Sequence, residues 1–172
     1  MAEEPTLYPA LTPREFLRFI AEMRGMAPGA EATIDALMTR FALRESADRL
    51  CADLSMGQRR KTAFIASILG DPSTLLLDEP TNGMDPAAAR EVKDYLRECR
   101  EAGRAVLFST HVMELAEHLA DRVAILREGS LVFVGSLGDL RATARPGEER
   151  TLEASFLRLT APSGRVDRGL RP

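Results

Sequence analysis

The sequence is poor in lysine: only Lys61 and Lys93 carry that side chain among 172 residues. Neither follows a glycine, so the pattern G-x-x-x-x-G-K-[ST], the loop that wraps phosphate groups in backbone N–H donors, is absent from it. Cysteine is equally scarce. Cys51 and Cys99 stand far apart and form no C-x-x-C pair, which speaks against a zinc site or a disulfide framework and fits free thiols in a reducing cytosol. No apolar run approaches the ~20 residues that span a bilayer, and Met1 to Pro5 are acidic rather than basic, so any membrane role is expected to come through a partner. With a net charge of −3 there is no basic stripe to neutralise a phosphate backbone, and nucleic acid is not an expected partner. Small anions remain open. Internal repeats and low-complexity tracts are also missing.

What is present is the balance of a soluble globular chain: 45% hydrophobic and 28% charged residues leave room for one core, with at most a small added lobe. Thr12 as cap, Pro13 in the first turn, Glu15 three residues on, and Phe16, Leu17, Ile20 and Met23 at helical spacing predict a helix that Gly25 ends. A second helical pattern covers residues 30–41, with Ile34, Leu37, Met38 and Phe41 on one face, followed by a polar stretch to Cys51. After Asp71-Pro72 the short apolar run 73–77 predicts a strand buried on both faces. Asp85-Pro86 opens a helix that stops at Gly103, residues 105–109 form the next strand, and a helix with Met113, Leu115, Ala116 and Leu119 leads to a strand at 123–126. Glu128-Gly129 turns that strand towards 131–134. Alternating strands and helices predict an α/β fold with a mainly parallel sheet. The expected organisation is a helical subdomain at 1–70, an α/β core at 71–136, and a C-terminal extension at 137–172 with a polar break at Arg145-Pro146-Gly147-Glu148 and disorder beyond Thr160.

Three short segments carry candidate chemistry. In Leu54-Ser55-Met56-Gly57-Gln58, Ser55 and Gln58 form a capping box; the same helix start, with a hydroxyl, a side-chain-free glycine and exposed N–H groups, is also a ready anion site. The run Thr74-Leu75-Leu76-Leu77-Asp78-Glu79 delivers two adjacent carboxylates at a strand's carboxyl end, where ligands bind in open α/β sheets. One suits Mg²⁺ and the other the polarisation of an attacking water. His111 follows the strand 105–109 at the same kind of edge, within reach of a terminal phosphate. His118 reads as solvated. Asn82-Gly83-Met84-Asp85 is, alone, a turn with a helix cap.

LSMGQRR, LLLDEP, NGMDP and STH, in that order and spacing, resemble the ATP-binding subunits of ABC transporters across about residues 6 to 140. The resemblance implies a partial P-loop NTPase fold, with ATP and Mg²⁺ as cofactors. It implies that Ser55, Gly57 and Gln58 contact nucleotide held by an opposing subunit, that Asp78 is the metal-site acid, Glu79 the catalytic base, and His111 the switch histidine. Asp85 matches the D-loop aspartate that communicates between the two sites of a dimer. The implied partners are a second ATP-binding subunit, in a homo- or heterodimer, and a transmembrane permease that would hold the chain peripherally at the inner face of the cell membrane. The NGMDP and C-terminal patterns are most similar to exporter-type subunits.

Two departures stand out. Met56 replaces a glycine of the common LSGGQ; its side chain can turn away, but the replacement bears on how closely another backbone can approach there. The phosphate loop, the A-loop aromatic and the first strands would lie upstream of Met1, and the Q-loop glutamine near Glu3 or Glu4. Micromolar nucleotide binding needs about 8 kcal/mol, whereas a helix N-terminus contributes ~0.3–2 kcal/mol to a bound charge. The chain alone is therefore expected neither to bind ATP tightly nor to hydrolyse it. Three readings follow: a transporter ATPase subunit, a non-catalytic partner donating its signature helix in trans, and an ABC-type ATPase of DNA maintenance. The last would be expected to carry coiled-coil heptads, and none is present.

Overall fold

The structure is a computed structural model that describes residues 1–2, 5–26, 29–144 and 151–161. The chain divides into two compact units, Met1–His111 and one that begins at Val112.

The first unit opens with α1 (Pro13–Met23), α2 (Ala30–Arg40) and α3 (Met56–Ile68). Local chemistry starts α1: the Thr12 hydroxyl accepts from the Glu15 amide while the Glu15 carboxylate accepts from the Thr12 amide, so two otherwise orphaned N–H groups are satisfied reciprocally. Two single 3₁₀ turns, Arg44–Ser46 and Cys51–Asp53, occupy the polar stretch before α3. Leu17, Ile34, Met38, Leu43 and Ile65 are completely buried, and Phe41, Phe64 and Tyr95 meet edge to face with ring centroids 5.3 to 6.4 Å apart. Arg40 lies over the Tyr95 ring, 5.1 Å from its centroid, and is held by Glu91 and Glu98.

β1 (Thr74–Asp78) and β2 (Ala105–Ser109) pair in parallel, Asp78 beside Ser109, with α4 (Pro86–Glu101) as the crossover between them. Along β1 burial alternates: Leu75 and Leu77 face the core, while Leu76 is 63% exposed, and its register neighbour in β2, Leu107, is 69% exposed. The apolar run 73–77 predicts burial on both faces; within the described residues only one face is covered. On the far edge of β1 the Met1 backbone adds a parallel bridge, its amine donating to the Leu76 carbonyl at 2.6 Å and its carbonyl accepting from the Asp78 amide at 2.9 Å.

In the second unit α5 (Met113–Leu119) is followed by β3 (Val123–Arg127) and β4 (Ser130–Gly135), an antiparallel hairpin bulged between Ile125 and Leu126, then α6 (Leu137–Ala142) and α7 (Leu152–Thr160). The alternation of strands and helices predicts β3 as a further strand of a parallel sheet; its partner among the described residues is β4, because the Glu128-Gly129 turn returns the chain at once and satisfies the ladder locally. Ile125, Leu140 and Leu152 form this unit's own core, with Phe133 and Phe156 packed against them. The segment Arg145-Pro146-Gly147-Glu148 and the tail beyond Ala161 lie outside the described residues.

Candidate functional site

All the candidate residues fall within the first unit. β1 ends at Asp78, and Glu79 leaves it in the left-handed region at φ 45°, a conformation a non-glycine residue adopts at a cost. That turn of the backbone brings both neighbouring acids to the carboxyl end of β2. The Ser109 hydroxyl donates to Asp78 Oδ1, and the Glu79 amide donates to the Ser109 carbonyl at 3.1 Å. The Glu79 carboxylate is held by three groups from the segment after β2. Its Oε1 accepts from the His111 amide at 2.9 Å and meets His111 Nδ1 at 2.7 Å, while Oε2 accepts from the Thr110 hydroxyl at 3.2 Å. The Glu79 side chain is largely buried and the imidazole of His111 is mostly exposed, so the ring's outer nitrogen faces outward from a fixed inner one. His118, by contrast, lies in the second unit and meets the Glu114 carbonyl of its own helix at 2.7 Å.

The other half of the site is the start of α3. Ser55 caps it: its hydroxyl accepts from the Gln58 amide at 3.2 Å, and Gln58 Oε1 accepts from the Ser55 amide at 3.0 Å. The same Gln58 side chain donates through Nε2 to the hydroxyl of buried Ser46 at 2.7 Å, so both ends of its amide are engaged. Met56 is 55% exposed. Gly57 lies against the turn that follows β1: a Cβ there would stand 3.4 Å from the Gly83 carbonyl oxygen. Asp85 caps α4 by accepting from the Ala88 amide at 2.9 Å and pairs with Lys61 of α3 at 3.1 Å; these contacts, the Ala88 amide first and Lys61 second, hold its carboxyl below the usual carboxylate range.

Ser55, Gly57, Gln58 and Asp85 are thus gathered in one place, at the α3 start and the turn beside it, and Asp78, Glu79 and His111 at the sheet edge. Glu3 and Glu4, the region of the expected Q-loop, lie outside the described residues. Sequence reasoning missed Ser46, Thr110, Arg60 and Lys61. For Arg60 and Lys61 a signal exists: they follow Gly57 at i+3 and i+4, the same face of a helix. For Thr110 the signal is its place inside the STH segment; for Ser46 none exists, since neither residue type nor spacing singles it out.

An oxygen-only donor set suits Mg²⁺, and the exposed Asp78 carboxylate beside the Ser109 hydroxyl is of that kind. Among the described residues no cluster of three or more histidine, cysteine or acidic side chains could cage a metal ion.

Residues 17–117 match the family model described as "AAA domain, putative AbiEii toxin, Type IV TA system", more than half of the chain. A fluoroquinolones export ATP-binding protein of Mycobacterium tuberculosis is 37% identical over 139 residues, which cover 81% of this chain and 45% of that protein. ATP-binding cassette sub-family A member 9 of Homo sapiens is 36% identical over 159 residues, 91% of this chain and 10% of that protein. A solved structure described as an ATP-binding subunit of an ABC transporter superposes with a TM-score of 0.81 at 29% identity, over 91% of this chain and 65% of that one. The chain belongs to the family of ABC transporter ATP-binding domains. It spans about half the length of the first of these two relatives and far less of the second. No helix among the described residues is long and apolar enough to cross a membrane.

Proposed function

We propose that the chain serves in an ATP-hydrolysing subunit of an ABC transporter and contributes two pieces of composite nucleotide sites. One piece is the sheet edge, with Asp78 for the metal ion, Glu79 as general base and His111 towards the terminal phosphate. The other is the α3 start, with Ser55, Gly57 and Gln58, and Asp85 beside it, facing nucleotide held by a second ATP-binding subunit. A transmembrane permease would couple turnover to transport and hold the assembly at the cytoplasmic face of the membrane.

The observation that carries this reading is the Glu79 carboxylate, fixed by Thr110 and by both the amide and the ring of His111. A base held this way is oriented before substrate arrives, which removes an entropic part of the barrier. In hydrolysis a water oxygen would attack the terminal phosphorus while the bond from that phosphorus to the bridging oxygen breaks; ADP leaves with that electron pair, and the water's proton passes to a Glu79 oxygen, Oε2 being the less engaged. With the carboxylate against Nδ1, the imidazole keeps its Nδ1 proton inward, so Nε2 donates to a phosphate oxygen only when the ring carries both protons. Mg²⁺, when bound, neutralises phosphate charge at the Asp78 end.

In a hydrolysing assembly that contains this chain, Glu79→Gln should abolish turnover while nucleotide binding survives. Near-normal turnover in that variant would refute the assignment of the base. The trans-donor reading remains as an alternative, favoured by one observation: Ser55, Gln58 and Ser46 complete the α3 start without any residue of the sheet. Wild-type turnover with Glu79→Gln but lost turnover with Ser55→Ala would select it.

A further inference from the structure

Arg60 is a buried charge, two of whose donor nitrogens have no hydrogen-bond partner among the described residues. It projects from the second turn of α3, is only 7% exposed, and both Nε and Nη1 lack an acceptor among the described residues. Withdrawing a guanidinium from water is costly unless its donors are met, so a residue with a purely space-filling task would be cheaper as an apolar side chain of similar length. The guanidinium lies against Gly83: a Cβ added there would stand 3.1 Å from Arg60 Nε, 3.4 Å from Cδ and 3.6 Å from Cζ. Gly83 has φ 65°, which favours glycine on its own account, and the arginine makes the same demand from the outside. Within the turn the Asn82 amide donates to the Glu79 carbonyl at 3.1 Å and the Met84 amide to the Thr81 carbonyl at 3.3 Å.

We propose that Arg60 is the positioning residue that seats the turn 79–84 on the first two turns of α3, so that the signature helix and Asp85 move as one body. Gly57 against the Gly83 carbonyl and Lys61 on Asp85 are the flanking contacts, and Arg60 is the buried one between them. Of its two unmet donors, Nε is the one placed against the turn, at Gly83. The functional meaning rests on the nucleotide role proposed for Ser55 and Gly57; the coupling itself does not.

The test uses the whole chain without nucleotide, in wild-type form and as Arg60→Met and Arg60→Lys. Solvent exchange of the Asn82, Gly83 and Met84 amides, followed by NMR, should accelerate about tenfold or more in Arg60→Met. Amides inside α3 and at the end of α4 should keep their protection. Exchanging a buried charge with two unmet donors for methionine should leave the melting temperature unchanged or raised, so faster exchange confined to the turn cannot be assigned to a weaker fold. Arg60→Lys keeps the charge but loses the planar Nε contact and should loosen the turn as well; it carries the test if the methionine variant does not fold. Unchanged turn exchange in a folded variant of either kind would overturn the inference. The measurement is blind to hydrolysis, so its failure and that of the Glu79 assignment are distinguishable.

Discussion

The helical half of the first unit closes its core, and the sheet beside it leaves one side open. Between α1 and α3 the largest side chains, among them Ile34, Met38, Phe41 and Phe64, have essentially no exposed surface. A few residues on, Leu76 and Leu107 put most of theirs into solvent from adjacent parallel strands. Parallel strands are ordinarily covered on both faces. The site is accordingly closed on one side only: the signature start is capped by residues of its own half and rests on the turn after β1, whereas Asp78 and Glu79 stand at the end of a sheet with one face uncovered among the described residues.

The contrast between closed and open faces is most vulnerable inside the helical half. Phe64→Ala removes the ring at the centre of the Phe41–Phe64–Tyr95 cluster and should cost about 3–5 kcal/mol in urea unfolding. A loss below about 1 kcal/mol would mean that this core is not closed. Ser55→Ala deletes one arm of the capping box and should cost about 1 kcal/mol, read from the same urea curves. Because Gln58 still accepts from the Ser55 amide and still reaches Ser46, the rest of the helix start should persist. Leu107→Asn should change stability by only about 0.5 kcal/mol or less in the same urea curves, since surface substitutions fall in that range. A loss of several kcal/mol there would show that something covers this face.

The smallest expected effect concerns the link between the two halves. The Asp85 carboxyl titrates below its ordinary value in the folded chain, so its contribution to stability is complete above that ordinary value. It is lost as pH falls through the lowered one. Asp85→Asn keeps a cap for α4 but removes the charge facing Lys61, so the stability of this variant should fall less steeply than wild type below about pH 4. Identical acid limbs for the two proteins would remove the Lys61–Asp85 pair from the account.

Much of the fold was legible because its signals are local. Thr12, Pro13 and Glu15 announce α1 within four residues, Asp85-Pro86 announces α4, and the breaker Asp71-Pro72 fixes where β1 can begin. The sheet-edge position of Asp78, Glu79 and His111 also followed from strand order alone. What was not legible depends on contacts between segments distant in sequence. The 3₁₀ turn at Arg44–Ser46 is too short to show a period, yet it presents Ser46 to Gln58. Thr110 gains its meaning only because β1 and β2 end in register. The exposure of Leu76 could not be foreseen, since a three-leucine run reads the same whether one face is covered or two.

The function proposed above gives this chain part of a nucleotide site, and the sequence carries no G-x-x-x-x-G-K-[ST] loop to grip the phosphates; the proposal turns on that division. Equilibrium binding of labelled ATP, with Mg²⁺, to the purified 172-residue chain is the decisive measurement. No saturable binding in the micromolar range is predicted, because a helix start contributes at most ~2 kcal/mol of the about 8 kcal/mol required. Low-micromolar affinity of the chain alone would contradict it.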